Sequence, residues 1–518
     1  MFATLFLLSL LQAEANPVAP SEVSLPLDLS EDFELYAAWK GQATRLQAAG
    51  AKVFSKERTP EQVRLMGDLQ IVSKSLSSLV HLEESDRPEN YEEELLRMRG
   101  ERQGFERELN RSLGLDVIMA TPTIATILEA IPEDGVLVDY AVKEHVFVWT
   151  LTHKGDIQLH YLGKAPGVEE MSEAFLQDLV ARRGGMALST KKPADWNAPL
   201  FEAIWAPIME DVKGFKKVLL CPDGFLGKLP FAVLQNEKGQ YLLEDFDFIY
   251  LEDPTAHVKV LKETFDVDGS FLAVGNVDYG KAFEIDADEE EDWLAMAGDV
   301  DLRAAMGTTW MPLEATDIET RVLLGMHKGA LKSKATRARL SGEAATEKRL
   351  KEEMAKYNYL HLATHGFFEP EELMNELPGL SAGLVCANAN LEQKDGAEDG
   401  FLTAEEVALI DMQSCQMVVL SACETALGTV RAGEGLQSLR RSFGVAGVNT
   451  VVSSMWKVGD ESTAELMKTF YKNLWVERQT RSQALRNAQL EMLQYYRDQG
   501  TDGHPSSWGA FVLSGDWR

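Results

Sequence analysis

Two short stretches hold the residue types from which thiol chemistry can be built. The first, Met417-Val-Val-Leu-Ser-Ala-Cys423, is an apolar, β-rich run ending in a cysteine, and the twelve residues after it contain three glycines and no aliphatic period. The second, residues 357–362, is an apolar run that leads into Ala-Thr-His365-Gly366. A thiol at its free pKa is only a few per cent thiolate at neutral pH, and a nearby imidazole either takes its proton or stabilises the anion. A cysteine and a histidine, each just past a predicted strand, therefore point to a nucleophile and its base. The backbone amides of Gly366 and Cys423 would face a developing oxyanion, and a glycine lets the backbone approach closely.

The same residues admit other readings. His361 and His365 are four apart, but no Glu stands inside His361-Leu-Ala-Thr-His365 and the run reads as strand, so a helical metal pair is not formed. His361 is then a core or supporting group, with a role as the base its lesser alternative. Gly428-Thr-Val-Arg-Ala-Gly433 has phosphate-loop spacing, yet Glu434 stands where a Lys is required, and a carboxylate repels phosphate. With Glu424, Gly433 and Gly435, Glu434 is read instead as shaping a loop around the thiol. An inert, buried Cys423 is the default for a lone cysteine after a strand, and the matching His-Gly argues against it. No Gly-x-Ser-x-Gly elbow is present, and the pattern calls for no metal and no cofactor. Asp399, Asp411 and Asp460 are available to line an acidic pocket, or to cap turns and helices.

The elements that must position the pair follow from periodicity. Segments 31–49, 60–84 and 89–113 are helical, within an arm over 29–115 that follows a leader, 1–28. From residue 135 the pattern turns to period two, giving an antiparallel meander over 136–140, 146–151 and 157–162. Further on, strands at 271–275, 338–341, 357–364, 380–387, 416–420, 449–456 and 508–513 alternate with helices. That alternation implies an α/β fold with a mainly parallel sheet covered on both faces. In such sheets the functional crevice lies beyond the carboxyl ends of the strands, which places His365 and Cys423 on one edge. The acidic stretch 284–292 is too charged to pack and reads as an exposed insert.

Composition sets the outer limits. At 518 residues the chain exceeds one ordinary core, and 45% hydrophobic with 26% charged residues is globular. A formal charge of −31 argues against nucleic acid as a partner, since phosphate binding needs basic patches. Four cysteines, at 221, 386, 415 and 423, have neither disulfide-framework nor zinc spacing. No stretch is long and apolar enough for an integral membrane segment. The run at 2–11 followed by Ala13-Glu14-Ala15 is compatible with an export signal, whereas an exposed reactive thiol favours the reducing cytoplasm.

His365-Gly366, Leu420-Ser-Ala-Cys-Glu-Thr425, Gly433-Glu-Gly435, Trp456 with Asp460, and His504-Pro-Ser-Ser-Trp508-Gly-Ala-Phe-Val-Leu-Ser-Gly515 together resemble the CHAT domain of caspase-like cysteine peptidases, relatives of caspases and separases. Cys221-Pro-Asp-Gly-Phe-Leu-Gly-Lys-Leu-Pro-Phe231 and Leu340-Ser-Gly-Glu-Ala-Ala-Thr346 match that family as well. The resemblance implies a caspase-like fold in which 135–265 is a non-catalytic companion and 266–518 the catalytic part. It implies that Cys423 attacks and His365 moves the proton, cleaving a protein substrate through a thioester. By analogy with caspases, the strand Val452-Ser-Ser-Met-Trp456 would pair with the substrate, so Ser453, Ser454, Met455 and Trp456 become substrate-binding candidates, and Asp460 joins the loop-shaping residues. The alternative is a catalytically silent scaffold that binds a partner. Many members carry helical repeats upstream, and no 34-residue repeat is found here; the three N-terminal helices substitute, or a separate regulatory protein or activator acts. The oligomeric state does not follow from any of these features.

Overall fold

In a computed structural model of the chain, the described residues are 29–40, 59–80, parts of 88–108, 123–181, 197–260, 268–280, 310–331, 335–368, 382–391, 398–421, 428–431, 435–456, 459–500 and 503–518. The leader 1–28, the acidic insert 284–292, Cys423, Glu424, Gly433 and Glu434 lie outside them, as does the side chain of Asp460.

One eleven-stranded sheet organises the molecule. Its strands are β1 (Gly135–Val142), β2 (His145–Thr152), β3 (Ile157–Lys164), β4 (Lys217–Cys221), β5 (Asp247–Tyr250), β6 (Phe271–Val277), β7 (Arg337–Gly342), β8 (Tyr359–Leu362), β12 (Met417–Leu420), β15 (Thr450–Ser454) and β16 (Phe511–Gly515), in the order β3-β2-β1-β4-β5-β16-β15-β12-β8-β6-β7. The expected meander is β1 to β3, antiparallel throughout. Beyond it β1, β4 and β5 are mutually parallel, as are β15, β12, β8, β6 and β7. Strand β16 joins the two groups, antiparallel to β15 and parallel to β5. The two groups therefore run in opposite directions, and their carboxyl ends lie on opposite edges of one continuous sheet.

Side-chain alternation explains the helices on both faces. Phe271, Ala273, Tyr359, Met417 and Val419 bury one face against Leu323 of α6 (Ala315–Leu331) and Phe470 and Tyr471 of α10 (Asp460–Tyr471). Their neighbours Leu272, Val274, Leu360, Leu362, Val418 and Leu420 bury the other against Leu350 and Met354 of α7 (Glu347–Met354), Val407 of α8 (Ala404–Ala408) and Phe443 of α9 (Leu439–Ala446). The companion side carries α1 (Leu29–Trp39), α3 (Ile124–Ala130), α4 (Ala165–Ala181) and α5 (Asn197–Ile204); α2 (Pro60–Val80) lies in the arm, and α11 (Arg481–Asp498) precedes β16.

Two expectations need correction. The strand read at 380–387 does not enter the large sheet. As β10 (Ala382–Val385) it lies between β9 (Gly366–Phe368) and β11 (Phe401–Thr403) in a separate antiparallel sheet. Gly383 permits this, because a Cβ there would sit 2.4 Å from the Leu402 carbonyl oxygen and 2.6 Å from the Phe367 ring. The glycine-rich stretch after Cys423 is not all loop either: β13 (Gly428–Arg431) pairs antiparallel with β14 (Gly435–Ser438), and α9 starts only at Leu439. A strand at 428–431 also removes the phosphate-loop reading on geometric grounds.

The packing of α6 makes stability sensitive to acid. His327 stacks on Phe271 and meets Trp475 edge-on. Its Nε2 donates to the Gly269 carbonyl at 3.1 Å, and its Nδ1 accepts from Arg337 Nε at 2.7 Å. Burial and the Arg337 guanidinium hold its pKa down to about 4. The unfolded chain, with a histidine near about 6.5, binds the proton that the folded chain refuses, so stability falls as pH drops from about 6.5 to about 4. The urea midpoint is expected to be lower at pH 5 than at pH 7, and His327→Gln is expected to shrink that difference. An undiminished difference would assign the acid sensitivity elsewhere.

Candidate active site

Strands β8 and β12 are immediate neighbours, parallel and in register from Tyr359↔Met417 to Leu362↔Leu420. The Ser421 amide donates to the Leu362 carbonyl at 3.0 Å and extends the pairing by one residue. His365 is the third residue past Leu362, and Cys423 is the third past Leu420. Counted along the sequence, the two residues stand equally far past strand ends that are paired in register.

After β8 the chain leaves the large sheet in a fixed way. The Ala363 amide donates to the Val274 carbonyl at 2.8 Å, the Thr364 hydroxyl to the Val385 carbonyl at 2.6 Å, and the Val385 amide to the His365 carbonyl at 2.9 Å. His365 itself is 5% exposed. Its ring packs against Tyr279 and Trp310, with centroids 5.1 and 5.2 Å away. Nε2 is 2.7 Å from the carbonyl oxygen of Met311. A carbonyl only accepts, so Nε2 carries the hydrogen and the neutral ring keeps its lone pair on Nδ1. This tautomer makes Nδ1 the basic atom.

The Met311 carbonyl was not foreseen, because a backbone acceptor leaves no mark in residue type. One signal existed: Met311 precedes Pro312, which drives it to extended backbone outside the coming helix. The Met311 side chain is 59% exposed while its carbonyl holds the histidine.

The register of the side sheet leaves the Gly366 amide unpaired within that sheet. The bond from the Val385 amide to the His365 carbonyl makes 385/365 a hydrogen-bonded pair, so Gly366↔Leu384 is the alternate, non-bonded kind. The Gly366 amide hence points away from β10, on the outer side of an edge strand.

His361 sits beneath the edge, fully buried. Its Nε2 is 3.0 Å from Glu319 Oε1 and its Nδ1 is 3.3 Å from the Tyr471 hydroxyl. The same Glu319 oxygen accepts from Ser421 Oγ at 3.0 Å. Both ring nitrogens are thus engaged in a buried network tying α6 and α10 to Ser421, the residue just past β12, in keeping with a supporting role.

The substrate-strand expectation does not hold in its simple form. Strand β15 is interior, Ser453 pairing with both Leu420 and Val512, and Ser454 with Phe511. The Met455 amide donates to the Ala510 carbonyl at 2.9 Å, and Trp456 Nε1 to the Ser506 carbonyl at 3.0 Å. All four residues are buried, so their side chains do not offer an open surface to a substrate. Asp399 and Asp411 accept from backbone amides two residues on, those of Phe401 and Gln413, as turn caps do. Gly435 begins β14, and Asp460 begins α10.

A family model for the CHAT domain matches residues 197–516, more than half of the chain. The chain belongs to the CHAT-domain family. The match starts at residue 197, so β1 to β3 lie outside the matched segment although they share the CHAT sheet. Among curated proteins, the chain is 21% identical over 393 residues to Tetratricopeptide repeat protein 28 of Homo sapiens, covering 67% of this chain and 14% of that protein. For the Mus musculus protein of the same name the figures are 24% over 335 residues, 58% and 12%. The chain thus spans about one-seventh or less of the length of these relatives. Among solved structures, it overlays the complex of Porphyromonas gingivalis RgpB pro- and mature domains with TM-score 0.36 and 12% identity, covering 68% of this chain and 76% of that one. For the Saccharomyces cerevisiae separase–securin complex the values are 0.42, 10%, 86% and 36%. What the CHAT site does is read from its own residues.

The helical arm reaches the CHAT domain on the other edge of the sheet. Lys40, directly after α1 and 1% exposed, ion-pairs with Asp139 of β1 and donates to the carbonyls of Tyr140 at 2.5 Å and Cys221 at 3.4 Å. Cys221 ends β4, whose direction is opposite to that of β8 and β12, so this latch is remote from His365. Arg102 of the arm also ion-pairs with Glu405 of α8 at 2.9 Å. The β13–β14 hairpin, downstream of Cys423, rests on the short helical turn Gly224–Lys228 that follows β4. Among the described residues, no helix is long and apolar enough to cross a membrane, and no cluster of His, Cys, Asp or Glu could hold a metal ion.

Proposed function

We propose that this CHAT chain is a cysteine endopeptidase acting on a protein substrate, with Cys423 as nucleophile and His365 as the group that moves the proton. The observation that supports this reading is the parallel, in-register pairing of β8 and β12, since His365 and Cys423 each stand three residues past the paired ends Leu362 and Leu420. Cys423 gives its proton to His365 Nδ1, and the thiolate attacks the scissile carbonyl carbon. The Gly366 amide, with that of Cys423, receives the oxyanion. The imidazolium then protonates the leaving amine as the C–N bond breaks, and a thioester remains. Water, deprotonated by His365, hydrolyses the thioester and restores the thiol.

The other cysteines do not compete. Cys221, Cys386 and Cys415 are buried and free of disulfides. Burial pushes all three thiols up, that of Cys415 to about 12. Native protein treated with an electrophilic peptide ketone is therefore expected to take up one label per chain, and Cys423→Ala is expected to take up none. Labelling that persists in Cys423→Ala would overturn the assignment.

A second reading has one observation behind it: the curated relatives bear the name of a repeat protein rather than of a peptidase. In that reading the CHAT fold is a binding module, and a native chain that captures a partner while Cys423 resists every electrophile would favour it.

A further inference from the structure

We infer that Asn390 is a positioning residue for His365, acting through Trp310, the residue before the carbonyl that holds the imidazole; this rests on the reading of His365 as the proton carrier. Strand β10 runs on into a loop that closes against the segment after β6. The amides of Asn388 and Asn390 donate to the carbonyls of Asp278 at 3.0 Å and Tyr279 at 2.8 Å. From there the Asn390 side chain spans to the opposite segment. Its Oδ1 accepts from the Trp310 amide at 2.8 Å, and its Nδ2 donates to the Trp310 carbonyl at 2.9 Å. Because one partner only donates and the other only accepts, the orientation of this amide is fixed.

The consequence reaches the histidine from two sides. The rings of Tyr279 and Trp310 both pack against His365, and Asn390 bonds the backbone of each. The residue after Trp310 is Met311, whose carbonyl receives Nε2–H. A side chain that satisfies both backbone groups of Trp310 holds the peptide units on either side of that residue, and so anchors the segment whose next carbonyl, that of Met311, faces the imidazole. A carbonyl facing Nε2–H stabilises the imidazolium more than the neutral ring, so it makes Nδ1 more basic. Asn390 thereby sets how readily His365 takes the thiol proton without touching the reacting atoms. Only a primary amide of this length offers both functions: an aspartate accepts from the Trp310 amide but sets oxygen against the Trp310 carbonyl, and an alanine does neither.

The test uses the full chain with two readouts that need no natural substrate. The first is the ¹⁵N spectrum of histidine-labelled protein, which reports the tautomer and Nε2 hydrogen bond of His365. The second is the pH profile of Cys423 alkylation by iodoacetamide, which reports thiolate formation. Asn390→Ala and Asn390→Asp are each expected to weaken the Nε2–H signal. They are also expected to raise the apparent thiol pKa by about one unit, a roughly tenfold slower alkylation at neutral pH. Circular dichroism showing a wild-type fold confines the effect to the site. A folded Asn390→Ala protein with wild-type His365 signals and a wild-type alkylation profile would refute the inference. His365→Gln separates the two layers. If it leaves the alkylation profile unchanged, the reading of His365 as proton carrier fails, while the ¹⁵N arm still decides whether Asn390 orders the ring.

Discussion

With His365 replaced by glutamine, reaction of the chain with a peptide electrophile is expected to slow roughly 10²–10⁴-fold at neutral pH, the range of positioned acid–base catalysis. Glutamine is chosen because its amide nitrogen can donate to the Met311 carbonyl while carrying no transferable proton. The variant should keep its melting temperature, since the rings of Tyr279 and Trp310 retain a polar, planar neighbour. His365→Ala should show the same rate loss with lower stability, because it removes a buried side chain and leaves the Met311 carbonyl without its donor. The two substitutions together separate chemistry from folding. Labelling of His365→Gln at the native rate would remove His365 from the mechanism.

The second large effect concerns the far edge of the sheet. Lys40→Ala is expected to destabilise the chain by about 3–5 kcal/mol at neutral pH, as breaking a buried ion pair by removing one partner does. Burial pushes the Asp139 carboxyl up to about 6 against the pull of Lys40, so at pH 7 the pair is ionic. Burial alone would lower the Lys40 amine; Asp139, Cys221, Tyr36 and Asp223 around it hold it above its usual range. Without the amine, nothing opposes the burial that raises the Asp139 carboxyl, so the folded chain either holds an uncompensated charge where water is excluded or takes up a proton well above the usual carboxylate range. Two controls bear on this cause. Lys40→Met with Asp139→Asn should recover much of the loss, and the penalty of Lys40→Ala should shrink below about pH 6, where Asp139 is protonated and no longer needs a counter-ion. Urea midpoints at pH 7 and pH 5 give both comparisons, and a Lys40→Ala midpoint equal to the native one would show that α1 does not depend on this latch.

The sequence made some of this legible and hid the rest for identifiable reasons. Strands β8 and β12 are short apolar runs followed within three residues by His365 and Cys423, and alternation with helices is enough to make them parallel members of one sheet. The side sheet of β9, β10 and β11 was hidden because three- and four-residue strands show no period, and their pairing joins segments distant in sequence. Strand β15 reads as a surface on offer until β16 is known to cover it. The Met311 carbonyl and the Asn390 bridge depend on backbone groups that every residue possesses. Lys40 looks like any other charge in a helical stretch, and its burial follows only from where Asp139 and Cys221 end up.

Strand β16 carries a consequence for biosynthesis. It follows every other described strand in chain order, yet it lies in the middle of the sheet, between β5 and β15. On the ribosome, both groups of parallel strands emerge before the strand that joins them, and until residues 511–515 arrive β5 and β15 each present an unpaired edge. Exposed edges invite pairing with other chains. Nascent chains stalled before residue 511 are therefore the ones that chaperones should hold longest, and the paired strands behind His365 and Cys423 gain their last neighbour only when synthesis has passed that point.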